Sequence, residues 1–155
     1  MNVRSNQEIS RPFLLALTCL IAIGCKGHDL EKRFFDEPAG NRVERLRRYS
    51  LDEQYRVFRY GMDRLEPPAM GLRGPIAERG AAAVPFLANK LDVDADDIAV
   101  RDIVLIFDMM EVTGSYNAKA DASLMTVLTS KVAGMKNKAW QDMCLKVLKE
   151  IRESK

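Results

Sequence analysis

The sequence predicts an all-α protein, and three observations carry that prediction. Apolar residues recur at helical spacing, as in Leu51, Tyr55, Phe58, Met62 and Leu65, or Trp140, Met143, Cys144, Val147, Leu148 and Ile151. Residues that cap helices open these segments, and proline or glycine closes them. No convincing strand run and no hairpin dipeptide interrupts the pattern. The elements are taken in chain order below.

Residues 1–24 read as a cleaved address. Arg4 and Arg11 give a positive start, and the 13 residues from Pro12 to Gly24 carry no charge. A membrane-crossing helix needs about 20 residues to span roughly 30 Å of hydrocarbon, whereas a signal-peptide apolar region needs about 7–15. The run has no polar face, so it lacks the 3.6-residue period of a buried amphipathic helix. Ala22 and Gly24 place small side chains three and one residues before Cys25, as a signal peptidase groove requires.

Leu20-Ile21-Ala22-Ile23-Gly24-Cys25 resembles the lipobox of bacterial lipoproteins. The resemblance implies that the Cys25 thiol is acylated and becomes the new N-terminus. Its acyl chains, palmitate among them, would then hold the protein on a membrane, each buried CH₂ contributing roughly 0.8 kcal/mol. The sequence departs from the commonest pattern at Ala22 and Ile23, where the family usually has Leu and then Ala or Ser. Family members kept in the inner membrane often carry Asp after the cysteine. Lys26 stands there instead, which implies a periplasm-facing location, with the outer membrane weakly preferred. An ordinary signal peptidase would cut the same bond and leave no lipid. In that case a Cys25–Cys144 disulfide is open to the chain in an oxidising compartment; with Cys25 acylated, Cys144 is left alone.

Residues 25–40 are expected to be the lipidated cysteine and a charged tether ending in Pro38-Ala39-Gly40, with Phe34 and Phe35 able to dock on the domain or on lipid. The domain is expected to run from 41 to 155. Ser50 and Glu53 form a capping-box pattern, and Glu66-Pro67-Pro68 ends the helix they open. A shorter helix runs to about Arg79, bent or restarted at Gly74-Pro75 and stopped by Gly80. Pro85 is tolerable near the start of the next helix, whose stripe is Val84, Leu87 and Leu91. Asp94 or Asp96 caps a helix bearing Ile98, Val100, Ile103, Val104, Ile106, Phe107 and Met110. That helix is apolar nearly all round and should be the buried centre, ending at Gly114. Leu124, Leu128, Val132 and Met135 mark one further helix, and Asn137 caps the last.

Pro85-x-Leu87-x-x-x-Leu91-Asp92, then Asp97, then Val100-Arg101 and apolar residues through Met110 resemble a HEAT repeat over roughly 30 residues. The resemblance implies a helix pair joined by a turn, with Arg101 meeting Asp97 in an electrostatic staple between repeats. Flanking segments at about 50–79 and 117–152 share the layout but not the motif. About three stacked pairs bury a continuous core, so a short α-solenoid or HEAT-like six-helix bundle is expected.

Chemistry is sparsely signalled. Removing residues 1–24 leaves 22 basic and 21 acidic side chains, a balance that gives no reason to expect nucleic acid. The one histidine, His28, lies three residues past Cys25 and is expected to be solvated; no Ser/His/Asp set or His/Cys metal cluster can be built on it. The run Asp92-Val-Asp-Ala-Asp-Asp97 suggests calcium, but an EF-type loop would need Gly and Glu where Asp97 and Ile103 stand; a helix-capping turn fits better. Arg42, Arg45, Arg47, Arg48, Arg56, Arg59 and Arg64 suit anionic lipid, yet interspersed Glu44, Asp52, Glu53 and Asp63 favour a salt-bridged solvated face. Cys144, on an apolar stripe, is expected to be a small buried hydrophobe. The expected function is a membrane-anchored periplasmic scaffold that binds a protein or peptide, without catalysis, cofactor or metal. The alternatives are an immunity-type lipoprotein that neutralises a toxin and, further off, an enzyme or accessory subunit working through carboxylates.

Overall fold

A computed structural model describes residues 27–93 and 96–154, and the described chain is built of eight α-helices and three short 3₁₀ turns, without a strand. The signal-peptide segment, Cys25 and Asp94 lie outside the described residues.

The first helix, α1 (Gly27–Asp36), corrects the expected boundary. Residues 25–40 were expected as a tether and the domain as starting at 41, but α1 packs on the third helix and buries Phe34 to 1% exposure. Leu30 and Phe34, four residues apart, share one helix face and point into the core. Transferring a ring of that size out of water contributes about 1.5–3 kcal/mol, enough to hold a short, otherwise polar helix. The helical domain therefore includes α1.

A short helix, α2 (Arg42–Leu46), follows Asn41, whose φ of 64° turns the chain. Helix α3 (Leu51–Arg64) opens with the expected capping box: the Ser50 hydroxyl accepts from the Glu53 N–H, and the Glu53 carboxylate accepts from the Ser50 N–H. The expected helix to Arg79 resolves into a 3₁₀ turn (Met70–Leu72), α4 (Arg73–Ala77) and a second turn (Gly80–Ala83). Gly80 has φ +54°, and a Cβ there would sit 2.5 Å from the Ser115 carbonyl oxygen. Only glycine allows this turn to close against the loop that follows the central helix.

Pro85 takes the second position of α5 (Val84–Val93), where its missing N–H costs nothing. The central helix, α6 (Asp97–Thr113), starts where Asp96 accepts from the Ala99 N–H at 2.6 Å and stops at Gly114, with φ 68°. Val100, Ile103, Val104, Ile106, Phe107 and Met110 are all at most 2% exposed. Burial on nearly every side explains why these β-branched residues form a helix here: α6 is the axis around which the others pack. Helices α7 (Ala122–Ala133) and α8 (Lys138–Glu153) complete the chain. Asn137 caps α8 by accepting from the Trp140 N–H at 3.1 Å. Helix α6 contacts α3, α4, α5, α7 and α8, and one apolar core runs from Phe34 to Ile151.

Candidate binding cleft

On α3, Tyr55, Arg56, Arg59, Tyr60, Asp63 and Arg64 recur at intervals of one, three and four residues. Helical geometry puts them on one flank. That flank is the floor of an open cleft of about 1020 Å³. Glu31 and Lys32 of α1 form one wall, and Lys90 and Val93 of α5, with Asp96 and Ile98 at the start of α6, form the other.

Most of the cleft's cations are matched by a carboxylate. Arg56 donates through Nε and Nη2 to Glu31 Oε1, both at 2.8 Å. Arg64 meets Asp63 at 2.8 Å, and Lys90 meets Asp52 at 3.4 Å. The Lys90 ammonium also lies 5.6 Å from the Tyr55 ring centre and 5.3 Å from that of Phe86, within cation–π range. Glu31 is 6% exposed, and its Oε2 is buried without a hydrogen bond.

Beneath the floor lies a buried charge. Asp102 is fully buried between Arg59, whose Nε is 3.4 Å from Oδ2, and Arg101, which donates to Oδ1 at 2.9 and 2.7 Å. Burial raises the Asp102 pKa, and the two guanidiniums hold part of that rise back. Burial also opposes the charge on Arg59. The Tyr55 hydroxyl, which accepts from its Nη1 at 3.3 Å, and Asp102 and Asp96 outweigh this and raise its pKa. The Arg101 guanidinium lies 4.8 Å from the Trp140 ring centre, so the cluster joins α3, α6 and α8.

The expected staple is corrected here. Arg101 does not take Asp97 as its partner. A fully buried carboxylate is too costly without a close cation, and Asp102 claims Arg101. Asp97 instead accepts from the backbone N–H groups of Lys136 and Asn137 at 2.9 and 2.7 Å. It thereby ties the start of α6 to the turn before α8. Both residues join neighbouring helices, but through separate bonds.

The other sequence candidates separate. Arg42 and Arg45 leave the expected basic group to bond the carbonyls of Phe35 and Phe34 at 3.0 and 2.7 Å. Arg47 reaches Glu44 and Glu78. These pairings match a salt-bridged face. Asp96 is spent as a helix cap and Asp92 pairs with Lys131 at 3.3 Å, in keeping with the capping turn. Cys144 is fully buried, and burial pushes its thiol pKa up to about 11, so it behaves as a small hydrophobe. The His28 side chain lies outside the described residues. Sequence reasoning missed Glu31, Lys90 and the role of Asp102. Only Asp102 left a signal, as a carboxylate set among Val100, Ile103 and Val104 with an arginine beside it. Compared with family models, curated proteins and solved structures, the chain matches none.

Proposed function

We propose that this chain is a lipid-anchored, periplasm-facing helical module that holds a protein or peptide partner in the cleft and performs no chemistry itself. The observation that carries the reading is the cleft lining: donors, acceptors and two tyrosines on a helical frame, open to solvent. Such a surface satisfies a polypeptide's mixture of polar and apolar groups. The anchor rests on the residues Leu20 to Cys25. A HEAT-like arrangement is supported by the contacting helix pairs α3–α4, α5–α6 and α7–α8, with the motif on the middle pair. An immunity role would favour a surface of one sign; this lining mixes five cations with three carboxylates.

The test has two parts. Cells are fed an alkyne-tagged palmitate, and the chain is compared with Cys25→Ser; label on the first and none on the second is expected. Crosslinking pull-down from intact membranes should then recover one dominant protein, lost with Cys25→Ser. Equal labelling of both chains removes the anchor, and recovery of no partner from either removes constitutive holding.

A further inference from the structure

The distance between anchor and cleft is set by chain length. Helix α1 begins at Gly27, two residues after Cys25, and Phe34 fastens it to the core. An extended residue spans at most about 3.6 Å and a helical one about 1.5 Å, so the Cα atoms of Cys25 and Lys32 are no more than about 15 Å apart. Lys32 and Glu31 are a wall of the cleft. An acylated Cys25 would therefore put the cleft beside the bilayer, with no tether to lift it away.

We infer that the cleft takes an extended peptide segment of a protein resident in the same membrane, from the stretch next to that protein's own membrane-embedded part. This rests on the acylation of Cys25 proposed above. The lining discriminates between occupants that can reach such a place. A lipid phosphate needs cations clear of carboxylates, but Arg56, Arg59, Arg64 and Lys90 each already have one within 4 Å. A peptide backbone asks for single neutral hydrogen bonds, and paired side chains keep positions for them: Asp63 has a second carboxylate oxygen, Arg64 further N–H groups, and the Tyr60 hydroxyl can both donate and accept. Val93, 72% exposed at the rim, adds an apolar contact for a side chain. With Asp52 and Asp102, which pair with Lys90 and Arg59, five carboxylates stand against the five cations, which suits a segment of balanced charge.

The test uses the full chain in its own cells, with the photo-crosslinker p-benzoylphenylalanine placed at Val93 or, as a control, at Val112. Both side chains are exposed, at 72% and 76%, so neither change disturbs the core. Val112 is on the same helix as the cleft residue Ile98 but about 21 Å further along it. Crosslinked sites are mapped by mass spectrometry. The expected result is a Val93 adduct several-fold above the Val112 control, mapping to within about ten residues, some 35 Å of extended chain, of the partner's membrane-embedded segment. Adducts on a soluble domain, adducts with phospholipid alone, or no excess over Val112 each overturn the inference. The intact mass of the same sample reports whether Cys25 is acylated. An unacylated chain shows failure of the anchor reading; an acylated chain with misplaced adducts shows failure of this inference alone.

Discussion

The first and last helices, α1 and α8, are held to the rest of the domain by different physics. At the α1 end the joint is aromatic and cationic. Phe34 packs edge-on against Phe35 and Tyr49 at 5.1 and 5.8 Å, and Phe35 stacks on Tyr60 at 5.7 Å. Arg45 and Arg42 lie over these two phenylalanines at 4.7 and 5.1 Å while bonding their carbonyls. Those carbonyls belong to the last turn of α1, where a helix leaves acceptors unpaired and its dipole is negative. At the α8 end the joint has an aliphatic centre, with Cys144, Leu148 and Ile151 at most 1% exposed, ringed by polar contacts: the Asp102 cluster, Gln141 donating to the Val132 and Ala133 carbonyls, Arg152 donating to Thr129 and Ser154 donating to Glu111. The comparison teaches that α1 is held by one buried ring and two arginines, whereas α8 places a run of side chains in the core. Loss of the first joint should release one helix; loss of the second should unfold the domain.

Asp102→Ala gives the largest expected effect. It strips the carboxylate from Arg101 and Arg59, and breaking a buried ion pair from one side costs about 3–5 kcal/mol. Urea unfolding followed by far-UV circular dichroism should show one earlier transition for the whole domain; an unchanged midpoint would break the comparison. Phe34→Ala should cost about 3 kcal/mol, but confined to α1. Hydrogen exchange should accelerate in residues 30–36 and leave α6 and α8 protected; uniform acceleration would mean that α1 is as integral as α8.

Gly61→Ala tests the same joint from beneath. A Cβ there would lie 2.7 Å from the Ala69 Cβ and 2.8 Å from the Phe35 ring, too close for either. The expected cost is about 1–3 kcal/mol by overpacking, and the same exchange experiment should show α1 displaced. The smallest effect belongs to Asp121, which accepts from the Leu124 N–H at 3.0 Å and from Ser123 and Tyr116 hydroxyls, both at 2.7 Å. These bonds hold its pKa down to about 2. A lowered carboxylate pKa contributes stability that is full above the unfolded value of about 3.9 and is lost as pH falls through the folded one. Asp121→Ala should cost about 1 kcal/mol at pH 6, with the difference in melting temperature from the parent chain shrinking between about pH 4 and pH 2. A constant difference would assign the cap's contribution to neutral hydrogen bonds.

The elements legible in the sequence are those fixed by residues close together along it. Ser50 with Glu53, Asp96 before Ala99, Asn137 before Trp140 and Gly114 at φ 68° act over one to three residues, and their helices form where expected. Helix α1 was harder to read because its charged composition outweighs a two-point apolar face, and the residues that clamp it, Arg42, Arg45 and Arg56, lie outside it. The cleft was not legible at all. Its pairs, such as Arg56 with Glu31 or Lys90 with Asp52, join residues 25 and 38 positions apart, and only packing decides them. The Arg101 partner was misread for a related reason: a pattern shared by a family names a type of contact, while burial of Asp102 decides which carboxylate receives it.

The stacking of Arg101 on Trp140 gives the molecule a built-in optical probe, for Trp140 is the chain's one tryptophan. Its indole is connected through Arg101 and Asp102 to Arg59 in the cleft floor. A group that drew Arg59 away from Asp102 would change the charge shared across that relay. Trp140 emission would then report a change at the cleft floor without any added label.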